Sequence, residues 1–210
     1  MPASRKRIGI DFDNTIVGYD QVFLAAAKAH GLLAQDFVGN KQAVRDAIRL
    51  QAGGELAWQR LQGRVYGSGI VDAVMFDGVD EFLRRCHEEG HDVYIVSHKT
   101  EYGHFAAERI NLRQAAWDWM ERRGFFDPQG YGISAESVFF EGTRADKLHR
   151  IAALGCTHFI DDLEEVLNDP GFPPINRILF RTQATSNEAC SFPVCATWQK
   201  IEAEVFNDRD

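Results

Sequence analysis

The sequence has no apolar run long enough to cross a membrane, no basic excess, no internal repeat and no low-complexity segment. Each absence removes a class of protein. A bilayer span needs about 20 consecutive apolar residues, and the polar, basic stretch Met1 to Arg7 gives way to an apolar run far too short for that or for a signal peptide. The expectation is a cytoplasmic protein with no membrane partner. The 23 basic and 31 acidic residues leave a net charge of −8, spread along the chain. A polyanion must be met by a basic surface, so nucleic acid is disfavoured as a partner. Four cysteines are few for 210 residues. Cys86 and Cys156 fall inside apolar segments, and the Cys190, Cys195 pair has no second ligand pair near it, so reduced structural thiols are expected ahead of zinc or a disulfide.

What is present is an alternation of two periods. Short runs rich in β-branched and aromatic residues recur at Arg7 to Ile10, Val93 to Val96, Ser137 to Phe140, His158 to Ile160 and Arg177 to Phe180. They read as buried parallel strands. Between them, Val79 to Glu89, Gly103 to Arg123 and Ala145 to Leu154 have helical period, and each is followed by a glycine that can adopt the left-handed conformation ending a helix. The pattern predicts an α/β protein whose parallel sheet is covered on both faces, with a ligand site at the strands' carboxyl ends. From Asp20 to Tyr66 the rhythm changes. Three helices are expected there, Gln21 to His30, Lys41 to Gln51 behind a capping Asn40, and Glu55 to Tyr66. They form a small helical insert that leaves the core after the first strand and returns near Val74.

The chemistry concentrates at strand ends. Ile8-Gly9-Ile10-Asp11-Phe12-Asp13-Asn14-Thr15 is an apolar strand that runs into two carboxylates one residue apart. Side chains two apart in an extended chain point the same way, so both acids can face one reacting group. Close carboxylates repel unless a cation or a shared proton relieves them. A second strand ends in Ser97-His98-Lys99, a helix opens with Arg144-Ala145-Asp146-Lys147, and another strand ends in Asp161-Asp162. Singly these have plain explanations as a helix cap, a turn residue or a solvated lysine.

Together and in this order they resemble the haloacid dehalogenase-like (HAD) superfamily, whose four motifs run D-x-D-x-T, Ser or Thr after the second strand, Lys, then paired acids. The resemblance covers roughly Arg7 to Tyr19 and Phe76 to Phe180, and Phe76-Asp77-Gly78-Val79 with Leu83 and Gly90 also looks like the approach to the second motif. It implies a Rossmann-like three-layer parallel sheet core, residues 1–17 and 75–210, with a small α-helical cap, residues 18–74, inserted after the first motif. It also implies a Mg²⁺-dependent phosphatase acting on a small phosphorylated metabolite through an aspartyl phosphate on Asp11. Asp13 would be the general acid and base; its presence is what aligns the chain with phosphatases rather than with members that cleave carbon–halogen bonds. Ser97 and Lys147 would hold phosphate oxygens. The metal ligands would be Asp11, the Asp13 carbonyl, Asp161 and Asp162, with the direct ligand of the last two undecided, and Thr15 would support the loop.

Other residues carry weaker expectations. His98 and Lys99 either line the pocket or lie in an exposed loop, and Arg144 could reach a second anionic group of the substrate. Trp58, Arg60, Arg64 and Tyr66 could contact the leaving group if their helix faces the core, but a helix carrying Leu56, Leu61 and Val65 is more simply an amphipathic packing element. Trp117, Trp119 and Met120 offer a face for core packing or for a homodimer. Two rival functions remain: a binding or regulatory protein that keeps the fold without turnover, and a polynucleotide end phosphatase.

Overall fold

The computed structural model describes residues 5–103, 109–182 and 190–206. The chain divides into two compact units, one of Met1–Ile16, Met75–His98 and Gly124–Asp210, the other of Val17–Val74 and Lys99–Arg123. The second unit thus takes in Lys99–Arg123, a stretch inside the 75–210 span of the division made from sequence.

The first unit is built on one sheet. Its strands are β1 (Arg7–Ile10), β4 (Asp92–His98), β5 (Val138–Glu141), β6 (His158–Asp161), β7 (Asn176–Phe180) and β8 (Val194–Cys195), in the order β5-β4-β1-β6-β7-β8. Every described pair is parallel. The two short strands β2 (Val17–Gly18) and β3 (Val74–Met75) form a separate ribbon where the chain leaves the sheet region and returns. The central strands read as unbroken apolar runs because a parallel sheet is buried on both faces. Helices α4 (Val79–Glu88) and α8 (Trp198–Phe206) pack against each other, while α6 (Arg144–Ala153) and α7 (Glu164–Leu167) meet the sheet. Val96, Phe159 and Leu179 share one buried cluster with Leu148 and Ile151 of α6 and Val166 and Leu167 of α7. On the other side, Phe180 meets Trp198 of α8, and Trp198 meets Phe82 of α4.

One glycine decides how tightly this closes. Gly9 lies in the middle of β1, and a Cβ there would fall 2.4 Å from the Phe159 ring and 3.1 Å from Cys156 Sγ. Only a residue without a side chain lets that ring lie across the strand.

The second unit holds α1 (Asp20–Ala29), α2 (Lys41–Arg49), α3 (Gly54–Tyr66) and α5 (Leu112–Arg122). Asn40 caps α2 as its sequence position suggested, its side chain accepting from Ala43 N. Phe23 stacks on Trp58, and Tyr66 meets both Tyr19 and Phe23 edge-on. The helix expected from Gly103 begins later, at Leu112, with residues 104–108 lying outside those described. Asn111 is the reason: its backbone is extended and its side chain accepts from Arg113 N and Gln114 N, so it starts a helix rather than continuing one. Trp119 and Met120 of α5 are buried, and Trp119 Nε1 donates to Ala73 O inside this unit. None of the four cysteines is in a disulfide; burial pushes the Cys156 and Cys195 thiols up to about 11, which suits inert packing residues.

Candidate active site

Side-chain alternation brings the first acids together. In the sheet register Gly9 pairs with Phe159, and Ile10 with Ile160, so Asp11 continues β1 level with Asp161 at the end of β6. Asp11 N donates to Ile160 O at 2.9 Å and fixes that level. Gly9 and Phe159 face the α6 cluster, and by the two-residue period Asp11 and Asp161 face the same way. Strands β1 and β6 are also where the order of connections reverses, the crevice in which open parallel sheets place ligands.

Lys147 arrives from α6. Thr143 caps that helix, its Oγ1 accepting from Asp146 N at 3.1 Å, and Lys147 follows in the first turn. Its Nζ donates to Asp11 Oδ1 and to Asp161 Oδ2, both at 2.6 Å. The three side chains are almost wholly enclosed, with Asp11 5%, Lys147 1% and Asp161 0% exposed. The second oxygen of Asp161 accepts from Leu163 N at 2.9 Å. Asp162 completes the group: Asp11, Asp161 and Asp162 each offer an oxygen, all within 4.8 Å of one another.

The charge balance shows what this group lacks. Three carboxylates around one ammonium are negative in excess, in a place with little water to screen them. Burial raises the Asp11 carboxyl from 3.8 to about 6; the Lys147 ammonium pulls it back, and Asp161 and then Asp13 push it up. Burial alone would lower Lys147, yet Asp11 and Asp161 together outweigh it and hold its ammonium charged beyond the ordinary lysine range. Clustered carboxylate oxygens that strain against their own charge are the donor set a hard divalent cation satisfies, so these residues fit Mg²⁺.

The remaining expected residues are dispersed. Asp13 lies half-buried in the same unit, just past β1, and contributes to the field on Asp11. Ser97 is buried near the end of β4, two residues past Ile95, the partner of Ile10. His98 is exposed and its Nε2 lies 3.1 Å from Gly142 O, and Arg144 is paired with Glu165. Lys99 belongs to the second unit, where it is buried with Nζ 5.0 Å from the centre of the Tyr66 ring. A buried Lys99 differs from the exposed-loop alternative; no period in the sequence signalled it, because it follows a strand end.

A six-stranded parallel sheet in this order, flanked by helices, with an acidic cluster at the carboxyl ends of β1 and β6, defines the haloacid dehalogenase-like fold, and the chain has that fold. Among solved structures it is similar to a haloacid dehalogenase-like family hydrolase from Streptococcus pneumoniae, with TM-score 0.60, 13% identity, and coverage of 96% of this chain and 99% of that one. It is similar to a HAD family hydrolase from Deinococcus radiodurans R1 with bound phosphate and sodium, at TM-score 0.59, 13% identity and coverage of 98% and 96%. It is also similar to the Protein Tyrosine Kinase A of Mycobacterium tuberculosis, at TM-score 0.64, 12% identity and coverage of 97% and 100%. No protein-family model and no curated protein matches the sequence. No described helix is long and apolar enough to cross a membrane.

Proposed function

We propose that this protein is a Mg²⁺-dependent phosphatase that hydrolyses a small-molecule phosphomonoester through an aspartyl phosphate on Asp11. The observation that carries the reading is the enclosed cluster in which Lys147 Nζ bonds Asp11 and Asp161 at 2.6 Å with Asp162 alongside. Structural neighbours described as hydrolases, one of them holding phosphate, and another described as a kinase support phosphoryl-group chemistry on this fold.

In this reading the ionised Asp11 attacks phosphorus, and the ester oxygen departs with a proton from Asp13. Asp13 then takes a proton from water as that water attacks the acyl phosphate and frees Asp11, so one hard displacement becomes two easier ones. Lys147 and the Ser97 hydroxyl donate to phosphoryl oxygens whose charge shifts during transfer. Mg²⁺, held by Asp11, Asp161 and Asp162 with the Asp13 carbonyl, would supply positive charge that lets an anionic nucleophile meet an anionic substrate. His98, Lys99 and Arg144 remain proposed substrate-binding residues. With the reading go a cytoplasmic location and the sequence division into a 1–17 and 75–210 core and an 18–74 cap.

The test is hydrolysis of p-nitrophenyl phosphate by wild type and Asp11→Asn, with Mg²⁺ and with EDTA. Metal-dependent turnover lost in the variant supports the reading; turnover that survives Asp11→Asn, or none by wild type, rejects it.

A further inference from the structure

The loop that carries Asp13 is held from a distant part of the chain. After Asp11 the backbone turns tightly: Asn14 has φ +62°, and Ile16 N donates to Phe12 O at 3.0 Å. Thr15 and Ile16 are fully enclosed, and among the described residues the Thr15 hydroxyl has no hydrogen-bond partner. The Thr15 carbonyl is held instead. Trp198, the first residue of α8, donates its indole Nε1 to Thr15 O at 3.1 Å across 183 positions of sequence. That indole is itself fixed, fully buried between Phe82 at 5.1 Å and Phe180 at 5.9 Å. Gly78 lets α8 approach this closely: a Cβ there would lie 2.8 Å from Trp198 Cβ and 2.7 Å from Gln199 Nε2.

We infer that Trp198 is a positioning residue for Asp13, its indole N–H fixing the turn that aims the general acid at the departing oxygen. This rests on the phosphatase reading. Asp13 stands two residues before the held carbonyl, so freedom gained at Thr15 is freedom gained by Asp13. A misaimed acid costs most where the leaving group most needs a proton. Glycerol 2-phosphate releases an alkoxide that does; p-nitrophenyl phosphate releases a stable phenolate that does not.

The experiment uses Trp198→Phe, which keeps an aromatic ring and removes the N–H, beside Phe82→Leu, which loosens the indole's surroundings and keeps the bond. With general acids worth about 10²–10⁴-fold, partial misaiming in Trp198→Phe should lower kcat on glycerol 2-phosphate by about thirtyfold and on p-nitrophenyl phosphate by about threefold, with KM held. Phe82→Leu should show no such split. In hydrogen exchange, the Ile16 amide should exchange about tenfold faster in Trp198→Phe while β1 and β6 keep their protection. An equal fall on both substrates, or unchanged Ile16 exchange, overturns the inference. Absence of hydrolysis by wild type would strike the phosphatase reading, and exchange at Ile16 would still decide whether the indole holds the turn.

Discussion

Asp11 should make the metal-free protein less stable as the pH rises, and replacing it should abolish that loss. Its carboxyl titrates near 6 in the folded chain against 3.8 ordinarily, first because it is buried and then because Asp161 and Asp13 oppose the attraction of Lys147. With the folded value above the unfolded one, the native state binds the extra proton. The contribution is therefore fully present below 3.8 and is lost as pH climbs through about 6. A rise of about two pH units, at about 1.4 kcal/mol each, makes the loss on the order of 3 kcal/mol. The assay is urea unfolding in EDTA of wild type and Asp11→Asn from pH 4 to 7.5. Any constant cost of the substitution, such as a weaker bond to Lys147, leaves the pH dependence untouched. Wild type should lose on the order of 3 kcal/mol relative to the variant across this range, and saturating Mg²⁺ at pH 7.5 should restore it, because a cation favours the ionised form. A difference between the two proteins that stays flat with pH would refute the reasoning.

Three further outcomes are expected. Lys147→Met leaves Asp11 and Asp161 facing each other without their shared ammonium and should cost about 3–5 kcal/mol in urea unfolding at pH 7.5, less at pH 5. Gly9→Ala forces a methyl against the Phe159 ring and should cost about 1–3 kcal/mol in the same assay, a neutral effect meaning that the ring can move aside. Asn40→Ala removes the α2 cap and should lower stability by about 1 kcal/mol; circular dichroism should show helix loss confined to a small amplitude.

The sheet strands were legible because burial on both faces writes itself as unbroken apolar runs, and Arg7–Ile10, His158–Asp161 and Asn176–Phe180 lie within a residue of where those runs placed them. Helices α2 and α6 were legible through Asn40 ahead of one and Gly155 after the other. What escaped had no local signal. Two-residue strands such as β8 are defined by their neighbours, and α7 is a single turn. Asn111 was hidden because an amide inside a helical period looks tolerable until its side chain is seen to cap. At the site, strand ends marked Asp11 and Asp161, a helix opening marked Lys147, and the order of the motifs made them a group, while their mutual bonds depend on which face of the sheet α6 covers. Lys99 and the indole of Trp198 could not have been found from pattern, since each acquires its surroundings from residues far away in sequence.

Phosphate on Asp11 is the direct signature of the proposed chemistry. Protein mixed with isotope-labelled acetyl phosphate and Mg²⁺, quenched in acid and mapped by peptide, should carry label on the segment containing Asp11; Asp13→Asn should retain it and Asp11→Asn should lose it. Label on any other segment, or turnover with no labelled enzyme and no dependence on Asp11, would contradict the account.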